Sequence, residues 1–272
     1  MKVLCWNINQ RSNTNSKNEI PSFIINTLLV REPLADIIIL TEFAQEGVQH
    51  FDEFMSQLKN SSYNTYVTEN DKNNILIAIN EKYTVTETFT WNSSYDSYLP
   101  DYLDVTFSLR GTLITVIGAR ILVGKYKYPD GVDEEMQKRY MQSQNIINRI
   151  SFLKGRENLI IGGEDFNTGR RENKNIYWKK EILSGKLQPF LINLITPDGW
   201  SHEMHKEEEY RGCPDHIFAS KIFNVSAEPY DWSFGDNKEY NEYKDEDGNW
   251  YKAIDNPYPD HGIIIADVKI DL

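Results

Sequence analysis

Short apolar stretches alternate with segments of helical spacing over the first sixty residues. Residues 3–7 and 36–40 predict strands, and the second is a continuous apolar run, typical of a strand buried on both faces. Residues 17–31 and 45–59 instead place apolar side chains three and four positions apart, which predicts two helices. Alternation of this kind predicts an α/β protein.

The middle of the chain is richer in strands, because β-branched and aromatic residues dominate it. Arg110-Gly111 lies between two of these strands and predicts a tight hairpin. Residues 133–153 form the longest predicted helix, with apolar residues along one stripe. The predicted strands cover residues 63–68, 75–80, 83–89, 102–109 and 113–122.

The last third predicts a strand that ends at Ile161, a helix around Leu183, and strands at 217–219, 225–230 and 263–268. No repeat or linker divides the chain, so residues 1–272 are expected to form one domain. About ten strands and three or four helices fit two packed sheets covered by helices.

Composition narrows the class of protein. The 272 residues are 40% hydrophobic and 26% charged, as is usual for a soluble globular protein. Cys5 and Cys213 are too few for a disulfide scaffold, the N-terminus shows no signal peptide, and the apolar runs are too short to span a bilayer. We therefore expect a cytoplasmic protein without a membrane span. The oligomeric state is not indicated.

The net charge of −12 argues against broad binding of phosphate backbones, which needs a basic surface. However, residues 231–260 contain nine acidic residues and three lysines, and so hold half of that charge. The remainder is only mildly acidic, and a bound divalent metal would reverse the local field. The acidic charge therefore makes a nucleic-acid partner less favoured, but does not exclude one.

Polar residues capable of binding a ligand stand at four predicted strand ends, the edge where α/β proteins bind ligands. Each motif alone is compatible with an ordinary turn. Their repetition in the same strand context predicts a shared site. The motifs are Trp6-Asn7-Ile8-Asn9, Thr41-Glu42, Gly162-Gly163-Glu164-Asp165-Phe166-Asn167 and Asp260-His261.

With Asp215-His216-Ile217-Phe218 added, five motifs resemble, in order, those of the endonuclease/exonuclease/phosphatase superfamily, which includes DNases, apurinic endonucleases and sphingomyelinases. The resemblance spans nearly the whole chain. It implies a four-layered α/β/β/α sandwich, in which two mixed β-sheets pack face to face with helices outside. It also implies metal-dependent hydrolysis of phosphoester bonds.

The resemblance implies a role for each matching residue. Glu42, with Asn7 beside it and Asp260 nearby, would bind the metal. Asp165 would activate the attacking water, and Asn167 would hydrogen-bond the scissile phosphate. Asp215 would orient the catalytic histidine, His261. Hard oxygen ligands of this kind suit Mg²⁺, with Mn²⁺ as an alternative.

Two positions depart from the superfamily pattern. Arg120 stands where many members have a histidine or tyrosine, and its guanidinium could clamp a phosphate or be held in a salt bridge. Glu164 separates Gly163 from Asp165, where members usually have Gly-Asp. A one-residue bulge would accommodate Glu164; otherwise its carboxylate would face the metal.

Two further features are interpreted as surface structure or as additions to the site. His202, Glu203 and His205 lack the third histidine or cysteine of a transition-metal site, which favours a surface loop. The acidic, aromatic segment 230–258 is either an insertion that gates the site or a solvated loop.

Three functions remain open. A nuclease acting through Asp165-activated water is the leading hypothesis. A phosphatase or phosphodiesterase for a small or lipid-derived phosphoester is the alternative, which the acidic surface favours. Arg120 and Glu164 motivate the third, a binding module with weak catalysis.

Overall fold

A computed structural model describes most of the chain, including the five motifs that resemble those of the superfamily. The described residues are 1–9, 19–44, 46–69, 74–91, 98–122, 132–168, 180–203, 211–235, 240–244, 250–254 and 259–270.

The first sheet has six strands in a mixed arrangement. In spatial order they are β13 (Asn224–Ala227), β16 (Ile264–Lys269), β1 (Lys2–Asn7), β2 (Ile37–Phe43), β4 (Asn74–Asn80) and β3 (Tyr63–Val67). Strands β1 and β2 run parallel, and the other neighbours run antiparallel. The carboxyl ends of β1 and β2 therefore lie side by side at one edge.

The second sheet repeats this plan. Its order is β5 (Thr84–Trp91), β6 (Asp101–Leu109), β7 (Thr112–Arg120), β8 (Leu159–Asp165), β12 (Asp215–Ser220) and β9 (Ile192–Ile195). Strands β7 and β8 form its parallel pair. Two small sheets complete the described strands: β10 (His202–Glu203) with β11 (Arg211–Gly212), and β14 (Tyr240–Lys244) with β15 (Trp250–Ile254).

The two large sheets pack face to face because their strands alternate apolar side chains between two cores. In β1, Val3 and Cys5 belong to the core between the sheets, whereas Leu4 and Trp6 pack under helices. Helices α1 (Ser22–Leu29) and α2 (Phe51–Asn60) cover the first sheet. Helices α3 (Val132–Gly155) and α4 (Lys180–Leu187) cover the second.

These four layers confirm the predicted α/β/β/α sandwich. The predicted hairpin is also present, since β6 and β7 are joined by Arg110 and Gly111 alone, both at positive φ (51° and 84°). Two consecutive positive φ values are typical of the turn that matches strand twist.

Several predicted boundaries differ from the structure. The helix predicted at 45–59 begins at Phe51, because the residues just before it form turns and an isolated bridge. The strand predicted at 225–230 ends at Ala227, whereas the strand predicted to end at Ile161 continues to Asp165. Strand β9 and the strands of the two small sheets were not predicted, because their segments are short or mostly polar.

Candidate active site

The two parallel strand pairs deliver polar side chains to one end of the space between the sheets. Asn7 and Arg120 are the last residues of β1 and β7, and Asp165 is the last residue of β8. Strict alternation puts each of them on the same face as the apolar inter-sheet residues before it, such as Cys5 before Asn7. All three are buried. Asp215 joins them as the first residue of the antiparallel β12.

Gly162 and Gly163 do not form the bend that their sequence suggests; they lie inside β8. A Cβ on Gly162 would stand 2.0 Å from the ring of Phe218, and one on Gly163 would stand 2.0 Å from Cys5 Sγ. The glycines therefore let neighbouring side chains approach the backbone from both faces of the sheet.

Strand β8 has no bulge at Glu164, and the bulge that shapes the site is in β2. The ladder runs without a shift through Glu164, which pairs with His216 on one side and Ala119 on the other; its side chain lies outside the described residues. A register shift occurs instead in β2, between Leu40 and Phe43. Glu42 lies in this bulge at φ 49°, a conformation uncommon for glutamate.

The β2 bulge explains how Glu42 reaches the site. Ile37 and Ile39 face the inter-sheet core, so strict alternation would place Thr41 there and turn Glu42 toward the helices. The extra residue changes the parity, and the Glu42 carboxylate meets Arg120 on the inter-sheet side, with Oε1 2.6 Å from Nη2. A strained backbone at this position is typical of functional sites.

Arg120 lies among three carboxylates. Besides Glu42, its Nη1 is 3.6 Å from Asp101 Oδ2, and its Nε is 3.8 Å from Asp165 Oδ2. This Nε is buried and makes no hydrogen bond to any part of the chain that the structure describes. This N–H is therefore available to donate a hydrogen bond to an oxygen atom of a ligand, while the guanidinium holds the carboxylates together.

Asn7 is the point where the motifs meet. Its Nδ2 donates to Asp165 Oδ2 at 2.9 Å and to Glu42 Oε1 at 3.4 Å, and it lies 3.4 Å from His261 Nε2. Its Oδ1 accepts from the backbone N–H of Asn9. Asn7 thus orients the carboxylates through its nitrogen, and the expected metal ligation by its oxygen remains a prediction.

His261 and Asp215 form a buried ion pair, with Nδ1 2.7 Å from Oδ2. Burial alone would lower the pKa of His261, but the negative charge and hydrogen bond of Asp215 outweigh it and raise that pKa to about 9. Burial raises the pKa of Asp215 to about 6, against the opposing effect of His261. At pH 7 both groups are charged, and Nε2 of His261 is presented to the site as a donor.

Asn167 has two internal contacts beside Asp165. Its backbone N–H donates to Asp165 Oδ1 at 2.9 Å, and its Nδ2 donates to the carbonyl of Ile121 at 2.7 Å. Its φ of 51° is a conformation that asparagine tolerates better than most residues. The residue orients Asp165, and its expected contact with a phosphate remains a prediction.

Asp260 lies at the open side of the site and is 23% exposed. Its Oδ1 accepts from Asn9 Nδ2 at 2.8 Å and lies 3.8 Å from His261 Nε2. Its Oδ2 lies 3.4 Å from His202 Nε2. Asp260 is therefore the most solvent-accessible carboxylate of the group.

The set of donors fits a divalent cation. Among the residues that the structure describes, five carboxylates lie around two cationic side chains, Arg120 and His261, in a largely buried region. Excess negative charge away from water is stabilised by a bound cation. Carboxylate oxygens are the ligands that Mg²⁺ and Mn²⁺ prefer. The carboxylates are Glu42, Asp101, Asp165, Asp215 and Asp260.

Sequence reasoning missed Asp101 and Asn9, and the sequence carries a usable signal for Asp101 alone. A two-residue hairpin at Arg110-Gly111 fixes the register of β6 and β7, and that register puts Asp101 opposite Arg120. Asn9 follows Asn7 by two residues, at the end of Trp6-Asn7-Ile8-Asn9. Register counting would have found the first, whereas the bend that brings Asn9 to Asp260 has no clear sequence signal.

The expectation of a surface loop at His202 and Glu203 is wrong. Both residues are buried, and His202 pairs with His261 in an isolated bridge. His205 lies outside the described residues. The segment 230–258 contains the β14–β15 hairpin, but its gating role is untested, because the side chains of that hairpin are almost all outside the described set.

Solved structures share this fold along almost their whole length. D. rerio TDP2 complexed with a single-strand DNA product has a TM-score of 0.58 at 14% identity, over 99% of this chain and 98% of that one. The 3′ phosphatase NExo from Neisseria, bound to a product DNA hairpin, has a TM-score of 0.63 at 12% identity, over 99% of both chains. The human nocturnin catalytic domain with bound sulfate has a TM-score of 0.59 at 16% identity, over 100% of this chain and 94% of that one.

These proteins are members of the endonuclease/exonuclease/phosphatase superfamily, so the fold expected from the sequence motifs is confirmed. No protein-family model matches the sequence, and no curated protein matches it. Within the described residues, no helix is both long and apolar enough to cross a membrane.

Proposed function

We propose that this protein is a metal-dependent hydrolase of phosphoester bonds. The observation that carries the proposal is the meeting of Asp165, Glu42 and His261 around one nitrogen of Asn7, at 2.9, 3.4 and 3.4 Å. The candidate base Asp165, the candidate metal ligand Glu42 and the imidazolium donor His261 therefore lie close together around the same small space. This is the set of groups that in-line attack of water on phosphorus requires.

Each side chain has a role that follows from its contacts. Asp165 is held by Asn7 and by the Asn167 backbone, with its carboxylate oriented to take a proton from the attacking water. His261, charged and fixed by Asp215, donates through Nε2 to a phosphoryl oxygen. Arg120 offers its buried Nε to the same group.

Glu42 and Asp260 would hold the metal, with Asn7 beside them. When bound, a divalent cation supplies neutralisation of the negative charge that develops on the phosphoryl oxygens. The oxygen donors favour Mg²⁺, with Mn²⁺ as the second choice. The guanidinium of Arg120, 2.6 Å from Glu42 Oε1, also neutralises part of the charge of that carboxylate.

Two classes of substrate have support. Nucleic acid is favoured by the fold neighbours with DNA products, TDP2 and NExo. A small or lipid-derived phosphoester is favoured by the net charge of −12, which opposes binding of a long polyanion. We propose a nucleic-acid phosphodiester as the first candidate and the small phosphoester as the second.

Turnover of a substrate panel tests both candidates. Purified protein would be incubated with plasmid, single-stranded DNA, RNA and small phosphomonoesters and phosphodiesters, with Mg²⁺ and with EDTA. Mg²⁺-dependent cleavage of the polymers supports the nuclease, and cleavage confined to small esters supports the second candidate. Absence of turnover on the whole panel, with Mg²⁺ binding intact, would instead support a binding module.

We also propose a cytoplasmic location. No disulfide joins Cys5 and Cys213, as expected in a reducing compartment. Microscopy of the tagged protein in its native cell would test the location.

A further inference from the structure

His202 is brought to the candidate site by backbone pairing. The N–H of Glu203 donates to the Asp260 carbonyl at 2.9 Å, and the N–H of Gly262 donates to the Ser201 carbonyl at 2.7 Å. These two bonds fix strand β10 against residues 260–262. The side chain of His202 is consequently buried, at 1% exposure, beside Asp260 and His261.

The separation of His202 and Asp260 suits two ligands of one ion. Nε2 and Oδ2 are 3.4 Å apart, which is long for a hydrogen bond, commonly 2.7–3.2 Å. Two atoms that each lie about 2.1 Å from one metal ion are about 3.0 Å apart in octahedral geometry and about 3.4 Å apart in tetrahedral geometry, so the observed separation lies close to both. The ring of His261 packs edge-on against His202 at 4.7 Å and closes one side of this position.

Ligand atoms of the three residues lie within 4.8 Å of one another. We propose that His202 and Asp260 together bind a divalent transition-metal ion, with His202 as a nitrogen ligand. This inference rests on the proposed function, because Asp260 is there assigned to the metal. His261 keeps its proposed phosphate contact, so His202 is the nitrogen donor that distinguishes this position.

A nitrogen ligand changes which ion the site prefers. Among divalent transition metals Mn²⁺ binds imidazole most weakly and Zn²⁺ more strongly, but Mg²⁺ accepts a nitrogen ligand less readily than either, because it prefers oxygen ligands and retains much of its water. We therefore expect a bias toward Mn²⁺ over Mg²⁺ that sequence-based assignment of oxygen ligands alone does not predict.

Calorimetric titration of the metal-free full chain with MnCl₂ and with MgCl₂ tests this bias. His202→Gln keeps a polar side chain but removes the imidazole, and His50→Gln is the matched control, because His50 is exposed on the surface. In His202→Gln, Mn²⁺ affinity is expected to fall about 10- to 100-fold, with Mg²⁺ affinity nearly unchanged. The control should bind both ions like the wild type.

Electron spin-echo spectroscopy of bound Mn²⁺ gives a second readout that does not depend on affinity. The wild type should show coupling to a ¹⁴N nucleus, and His202→Gln should lose it. Absence of coupling in the wild type overturns the proposal, as does its retention in His202→Gln, which would identify His261 as the ligand. Equal loss of Mn²⁺ and Mg²⁺ affinity also overturns it, since His202 would then only orient Asp260.

The two proposals fail differently. A wild-type protein that hydrolyses phosphoesters, with Mn²⁺ affinity unaffected by His202→Gln, refutes the nitrogen ligand alone. A protein with His202-dependent Mn²⁺ binding but no hydrolysis of any phosphoester refutes the proposed function alone.

Discussion

His216 should make the stability of this protein depend on pH, and His216→Gln should remove that dependence. The imidazole is fully buried between two hydroxyl groups, with Nε2 2.8 Å from Thr168 Oγ1 and Nδ1 2.9 Å from Thr196 Oγ1. Burial, together with the charge of Lys180, lowers its pKa from 6.5 to about 3. The neutral ring satisfies both hydroxyls, whereas a protonated ring would be a charge without water.

The sign and size of the effect follow from these pKa values. Between pH 6.5 and about 3 the unfolded chain binds a proton at His216 that the folded protein does not bind. Stability is therefore complete above pH 6.5 and is lost progressively as pH falls below it. At pH 5.0, one and a half units below the unfolded pKa, the loss amounts to about 2 kcal/mol relative to pH 7.5.

Urea unfolding at pH 7.5 and pH 5.0 measures this loss. His216→Gln should be less stable at pH 7.5, because it loses packing and a bridging hydrogen bond, yet its free energy of unfolding should fall by about 2 kcal/mol less than that of the wild type on going to pH 5.0. His50→Gln, which alters an exposed histidine, should keep the wild-type difference. An equal decrease in all three proteins would refute the reasoning.

Two further predictions concern packing and charge. Gly162→Ala should destabilise the protein by more than about 2 kcal/mol, because the added Cβ would overlap the ring of Phe218. The control is Gly185→Ala in α4, which has open space around it and should be neutral or stabilising. Equal urea midpoints for the two variants would contradict this reasoning. Arg120→Gln should cost about 3 kcal/mol in EDTA by leaving Glu42 without its cation, and Mg²⁺ should restore more stability to it than to the wild type. No extra stabilisation by Mg²⁺ would contradict the account.

The parts of the fold predicted from the sequence are those with a regular apolar period, of two residues in the strands and of three to four in the helices. Continuous or alternating apolar runs located the central strands, and the same alternation carries Asn7, Arg120 and Asp165 to the inter-sheet face. Polar residues at strand ends therefore predicted where the site lies. The layering followed because apolar faces on both sides of each sheet need cover.

The features that were not predicted are those where a strand departs from its regular period, or where residues distant in sequence determine the local conformation. The bulge that turns Glu42 inward depends on pairing with β4, and no local sequence signal separates it from the expected bulge at Glu164. Gly162 and Gly163 resemble a turn in sequence, but the approach of Phe218 and Cys5 requires them. These contacts come from residues far apart in the chain.

The same limit applies to His202. Its short strand carries too few residues for a periodic pattern, and only pairing with the segment around His261 reveals that it is buried. An isolated histidine in a polar sequence is more often exposed, so the sequence favoured the wrong interpretation.

Mg²⁺-dependent turnover by the wild type, Asp165→Asn and His261→Asn tests the central proposal most directly. Wild-type hydrolysis of a phosphoester should stop in EDTA and return with excess Mg²⁺, and each variant should be slower by about 10²- to 10⁴-fold. Circular dichroism would verify that the variants remain folded. A folded Asp165→Asn protein with undiminished turnover, or wild-type turnover that persists in EDTA, would contradict the account.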